Sequence, residues 1–140
     1  MKWILTKPRL AAAGGIPARA ERVFRVLIAD DDPQTLKLLA HILASHGHQV
    51  ITASSGADAA EIVETRRIDL LVLDLEMPKP DGFDILKSCR ARKPKLPVLV
   101  VSGYLDGALL KASEMFGASA SLSKSEAPQK IASVVRTLLL

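Results

Sequence analysis

Five short apolar runs recur along this chain, separated by stretches long enough for helices. They lie at Val26–Ala29, Val50–Ile51, Leu70–Leu73 and Val98–Val101, with a weaker one at Ala118–Leu122. Each is continuous rather than alternating and rich in Val, Leu and Ile, the composition of strands buried on both faces of a parallel sheet. Parallel neighbours cannot be joined by a tight turn, so each run needs a crossover, and the intervening segments have helical period.

Those segments carry their own boundaries. Asp32-Pro33 offers a cap and a first-turn proline to a helix bearing Leu36, Leu39, Ile42 and Leu43, and Gly47 stops it. Ala59, Ile62 and Val63 mark a second helix, and Phe83, Ile85, Leu86 and Cys89 a third. Leu109, Leu110 and Met115 before Gly117 mark a fourth. Ile131, Val134, Val135 and Leu138 mark a fifth, with Glu126 and Pro128 at its start. The pattern predicts an α/β fold, (βα)5, with a doubly wound five-stranded parallel sheet. In such folds ligands sit beyond the carboxyl ends of the strands.

A chain of 140 residues fits one domain of this kind. The boundary is set near residue 23: residues 1–22 read as a basic, flexible N-terminal extension and 23–140 as the domain. Lys2, Lys7, Arg9, Arg19, Arg22 and Arg25 against Glu21 concentrate the formal net charge of +4 at this end and leave the body slightly acidic. The extension suits a weak contact with membrane or nucleic acid. Its only apolar start, Trp3-Ile4-Leu5, is far short of a signal peptide's core, and no run approaches the roughly 20 residues of a membrane span. Cys89 is the lone cysteine, so no internal disulfide forms. A cytoplasmic location is expected.

The strand ends gather acid. The first apolar run finishes in Asp30-Asp31-Asp32 and the third in Asp74-Leu75-Glu76. One aspartate, Asp32, suffices as a helix cap; three exceed that need. Carboxylates a few ångströms apart repel, which raises a pKa or calls for a hard cation such as Mg²⁺. Ser102 and Lys124 fall at the ends of the fourth and fifth runs. A carboxylate nucleophile, a divalent cation, a hydroxyl and an ammonium together suit phosphoryl transfer.

From about Arg25 to Leu140 the residues resemble the receiver domains of two-component response regulators, which have a flavodoxin-like (βα)5 fold. The matching elements are Val26-Leu27-Ile28-Ala29-Asp30-Asp31-Asp32-Pro33, Asp74-Leu75-Glu76-Met77-Pro78 with Asp81-Gly82, Val100-Val101-Ser102-Gly103, and Gly117-Ala118 followed by Lys124. The resemblance implies that Asp74 accepts the phosphoryl group from a sensor histidine kinase or phosphotransfer protein. It implies Mg²⁺ held by the side chains of Asp31 and Asp74, the main-chain carbonyl of Glu76 and, through water, Asp30. The Glu76 side chain is then expected to be free. Ser102 would move to the phosphoryl group and Lys124 would pair with one of its oxygens. Met77-Pro78 should stiffen the loop behind Asp74, and Gly82 should supply a backbone conformation that a side chain resists.

Two positions depart from the pattern. Ser125 stands where these domains usually carry a proline after a cis bond, and Ser121 where an aromatic residue commonly reports activation. Tyr104 offers another aromatic near Ser102, or simply a residue at the pocket rim. His41, His46 and His48 read as surface histidines. The sequence ends with the fifth helix, leading to the expectation of a single-domain receiver without its own DNA-binding output, acting on an unidentified downstream protein. Two other readings stay open: a degenerate receiver that binds partners without being phosphorylated, and an aspartate-nucleophile phosphohydrolase with Glu76 as general acid. A flavin binder is disfavoured because three aspartates stand where a phosphate loop is needed.

Overall fold

The computed structural model describes residues 2–4, 23–103 and 107–140. Its strands are β1 (Lys2–Ile4), β2 (Arg25–Ala29), β3 (Gln49–Ala53), β4 (Leu70–Leu73), β5 (Val98–Ser102) and β6 (Ala120–Ser123). Its helices are α1 (Pro33–Ser45), α2 (Gly56–Thr65), α3 (Gly82–Arg92), α4 (Gly107–Met115) and α5 (Ala127–Leu139). All lie in the order β1-β3-β2-β4-β5-β6 across a single sheet. The five expected strands are there and pair in parallel. The sixth, β1, was not anticipated: it lies within the N-terminal extension and pairs antiparallel to β3, with Trp3 opposite Ile51. Tyr104 and most of the extension lie outside the described residues.

Strands β2, β3, β4 and β5 each feed two cores because their side chains alternate between the faces. Leu27, Leu71, Leu73, Val98 and Val100 join Ile62 of α2 and Ile85 and Leu86 of α3 on one face. Val26, Ile28, Val72, Leu99 and Val101 join Leu39 and Leu43 of α1 and Ile131 and Val135 of α5 on the other. Most of these side chains are fully buried, each worth about 1.5–3 kcal/mol relative to exposure. Continuous apolar runs are therefore what this three-layer arrangement demands.

The helix boundaries have local causes. The Asp32 carboxylate accepts from Gln34 N and Pro33 opens α1, while Gly47, at φ +91°, turns the chain out of it. Asp81 and Asp84 form a reciprocal capping box at the start of α3. On α4, Leu109 and Leu110 pack partly against the first core, but Met115, expected on the buried face, is 86% exposed. Phe116 beyond it makes the contact instead, edge-to-face with Phe83 at 5.8 Å between ring centres. Among the described residues, no helix is long and apolar enough to cross a membrane.

The sheet order decides where a site can form. From β2 the chain goes to β3 on one side and then crosses to β4 on the other, so the direction of winding reverses beside β2. Ala29 pairs with Leu73, and a crevice opens beyond these two carboxyl ends.

Candidate phosphoacceptor and metal site

Asp30 and Asp74 are the first residues past β2 and β4, and the pairing of those strands sets them side by side. The Asp74 amide donates to the Ala29 carbonyl at 2.9 Å, and the Asp30 amide to the Ala53 carbonyl at 3.1 Å. Both side chains are buried at 2% exposure, whereas Asp31 faces solvent. Asp30, Asp31 and Asp74 each present a carboxylate oxygen, and the three atoms lie within 4.8 Å of one another. Hard oxygens so close, with one open side for water, fit Mg²⁺ better than a softer metal. Asp32 stands apart from this cluster. It caps α1 and accepts from the Thr35 hydroxyl at 2.6 Å, which holds its pKa below the ordinary carboxylate value.

Lys124 enters from the far side of the sheet. Ser102 pairs with Ser123, and the Lys124 amide donates to the Ser102 carbonyl at 2.8 Å, which puts Lys124 one residue above the end of β6. Its ammonium reaches Asp30 Oδ2 at 3.2 Å and Asp74 Oδ2 at 3.4 Å. Burial works against the ammonium, but the charges of Asp30 and Asp74 overcome it and leave its pKa above the usual lysine value. Burial also pushes the Asp74 carboxyl up to about 6; the Glu76 amide, donating to Oδ1 at 3.0 Å, opposes the rise, the Asp30 charge adds to it and Lys124 limits it.

Lys124 keeps this position without the proline. The cis peptide among the described residues is Lys79–Pro80, and Lys124–Ser125 is trans. Ser123 and Glu126 clasp the turn instead. The Glu126 carboxylate accepts from the Ser123 amide at 2.9 Å and its hydroxyl at 3.1 Å, while the Glu126 amide donates back to the hydroxyl at 3.4 Å. Lys130, donating to Glu126 at 2.8 Å, is the first cause of a Glu126 pKa lowered to about 2, and the Ser123 amide and hydroxyl add to it. Sequence reasoning missed this clasp, although Ser-x-x-Glu ahead of an apolar helix is a capping-box signature.

Ser102 is fully buried at the end of β5. Its hydroxyl donates to Glu76 Oε1 at 3.0 Å, and the Gly103 amide donates to the same oxygen at 3.0 Å. This corrects the expectation of a free Glu76 side chain: the carboxylate bridges from the β4 loop to the β5 loop. The Ser121 hydroxyl donates to Glu114 of α4 at 3.3 Å. Gly82 also has a different reason for being glycine. Its φ is ordinary, but a Cβ there would run into the Asp74 carbonyl oxygen and approach Leu75 Cα at 2.5 Å. The start of α3 thus packs directly on the backbone that carries Asp74. Of the three histidines, His41 and His46 are exposed and His48 is half-buried, and none joins the cluster.

Over residues 26–136 the sequence matches the response regulator receiver domain family. The chain belongs to that family. It is 31% identical over 115 residues to the alkaline phosphatase synthesis transcriptional regulatory protein PhoP of Bacillus subtilis (strain 168), an alignment covering 82% of this chain and 48% of that protein. The chain therefore spans about half the length of that relative. Among solved structures, the receiver domain of NtrX from Brucella abortus superimposes with a TM-score of 0.77 at 26% identity, covering 81% of this chain and 97% of the other. The response regulator TrrA from Thermotoga maritima, solved in complex with Mg²⁺ and a beryllium fluoride, superimposes with a TM-score of 0.76 at 27% identity, covering 83% and 99%. This receiver of a two-component response regulator thus has the flavodoxin-like fold that its sequence implied.

Proposed function

We propose that Asp74 is the phosphoacceptor of this receiver, taking its phosphoryl group from a histidine kinase or phosphotransfer protein in the cytoplasm and passing the signal on by a change of shape. The observation that carries this reading is the Asp74 carboxylate, buried at a strand end beside Asp30 and within 3.4 Å of the Lys124 ammonium. An oxygen of Asp74 attacks phosphorus, the bond from phosphorus to the donor's leaving atom breaks, and an acyl phosphate remains on Asp74. The Glu76 amide fixes Oδ1 and so orients the carboxylate. Lys124 offsets charge building on the transferred oxygens.

Mg²⁺ bound by Asp31, Asp74, the Glu76 carbonyl and, through water, Asp30 would neutralise phosphoryl charge and align the oxygens. The acidic trio fits that ion, and the complex of TrrA with Mg²⁺ and a beryllium fluoride supports carrying it over. Once phosphorylated, Asp74 bears one more negative charge. The Ser102 hydroxyl then moves to a phosphoryl oxygen through a bond worth about 1.5–3 kcal/mol, enough to shift a two-state equilibrium about 10- to 150-fold. The phosphohydrolase reading is weakened because Glu76, its general acid, is already engaged as an acceptor by Ser102 and Gly103.

The test is incubation with Mg²⁺ and a small phosphodonor, followed by mass spectrometry. One base-labile phosphoryl group should appear on Asp74. An Asp74→Asn variant gaining the group to the same extent would sink the assignment.

A further inference from the structure

The Glu76 carboxylate is in an unusual position for a residue whose expected contribution is a main-chain carbonyl. It lies two residues past Asp74, and its Oε1 takes two donors from the end of β5, the Ser102 hydroxyl and the Gly103 amide, each at 3.0 Å. A Cβ placed on Gly103 would touch Glu76 Oε1 at 3.3 Å and Lys124 Cδ at 3.7 Å, so this contact lies between the nucleophile's loop and the Lys124 side chain. Ser102 is fully buried, and its hydroxyl has little freedom to exchange this anionic partner for water.

We propose that Glu76 is a built-in latch: its carboxylate holds the Ser102 hydroxyl and the Gly103 amide in the unmodified receiver, and the Asp74-bound phosphoryl group must displace it to draw Ser102 inward. Glu76 thereby sets the threshold of the switch. The inference rests on Asp74 as phosphoacceptor and Ser102 as the moving hydroxyl. Two features give it direction. An anionic oxygen is already what the β5 donors bind, so the phosphoryl oxygens compete for the same donors. Phosphorylation also adds negative charge two residues from Glu76, which repels the latch as it recruits the hydroxyl. Glu76 acts through Ser102 and is a positioning residue.

Trifluoroberyllate with Mg²⁺ is the probe, followed by NMR on the full chain. Replacing the latch frees donors worth a net hydrogen bond, so Glu76→Ala should reach half response at roughly three- to tenfold less trifluoroberyllate than the wild type. Glu76→Gln keeps an acceptor but drops the charge and should fall between. In a Ser102→Ala background the gain from Glu76→Ala should shrink by at least about half, because the hydroxyl that the carboxylate holds is no longer there to release. An unchanged or weakened response in Glu76→Ala overturns the latch, as does an equal gain with and without the Ser102 hydroxyl. So does a loss of Mg²⁺ affinity as large as that of Asp31→Asn, which would make the side chain a metal ligand. A second measurement is independent of phosphorylation. In metal-free protein the Gly103 amide should shift upfield and exchange faster in Glu76→Ala, and an identical resonance refutes the contact. A wild type that shows this contact yet never takes the mimic refutes Asp74 as phosphoacceptor, and with it the threshold role of Glu76.

Discussion

Replacing Asp74 by Asn should stabilise the metal-free protein, by an amount that depends on pH in a defined way. In the fold Asp74 is buried beside Asp30, and its carboxyl is raised to about 6. In the unfolded chain it titrates near 3.9, as an ordinary aspartate. At neutral pH the folded protein holds a desolvated charge that the unfolded chain solvates freely. As pH falls through about 6, the native state takes up a proton first and is relieved, and the gain is complete near the unfolded value. Stability tied to this group is therefore present at low pH and lost as pH rises, opposite to an ion-paired carboxylate. The separation sets an upper bound of about 3 kcal/mol, reduced by the charge that Asp74 shares with Asp30 and Lys124. Asn keeps an acceptor for the Glu76 amide and carries no charge, so it mimics the protonated state. Urea denaturation in a chelating buffer, run in parallel on both proteins between about pH 4 and 7.5, isolates the effect from other carboxylates. The variant should be the more stable at pH 7, and its advantage should shrink as pH falls from about 6 towards 4. Added Mg²⁺ should narrow it at pH 7 by stabilising the wild type preferentially. An advantage that stays constant across this range, or grows as pH falls, would refute the view that a desolvated Asp74 charge strains the metal-free fold.

Asp31→Asn should lower Mg²⁺ affinity by at least about tenfold and Asp30→Asn by less, since the first is proposed as a direct ligand and the second as one acting through water; titration calorimetry on both ranks them. Lys124→Met removes the cation that lies 3.2 Å from Asp30 and 3.4 Å from Asp74. It should destabilise the metal-free protein by about 1–3 kcal/mol and enlarge the rise in thermal midpoint on adding Mg²⁺, as the two carboxylates then have no other partner charge among the described residues. Gly82→Ala should cost about 1–3 kcal/mol in denaturant and weaken Mg²⁺ binding too, because its Cβ meets the Asp74–Leu75 backbone.

Much of the fold was legible because the signals are local. Short continuous runs such as Leu70–Leu73, recurring between helix-length segments, read as strands covered on both faces, and Asp32-Pro33 and Gly47 bracket a helix by cap and turn chemistry that needs no distant partner. The acidic residues, Ser102 and Lys124 were visible as chemistry collected at strand ends. Less legible were features that depend on which side chain has room to go where. Met115 fits the helical period of α4 yet is exposed, while Phe116, past the helix end, finds Phe83. Strand β1 lies in a segment that composition marks as an extension, and its three residues are ordered by the free edge of β3, which no local signal announces.

The site divides along the same line. The sequence determined which groups could do phosphoryl chemistry, since residue type fixes charge, hardness and nucleophilicity. Only the tertiary structure decided that β2 and β4 are neighbours and so set Asp30 against Asp74. It alone brings Lys124 across two strands to both carboxylates, with the Ser123–Glu126 clasp in place of a proline. It also ties the Glu76 carboxylate to Ser102 and Gly103. Apart from the clasp, these contacts join residues 26 to 94 positions apart in the chain. Residue type sets what each group can do, but its partner is fixed by the packing of the sheet, which no single stretch of sequence contains.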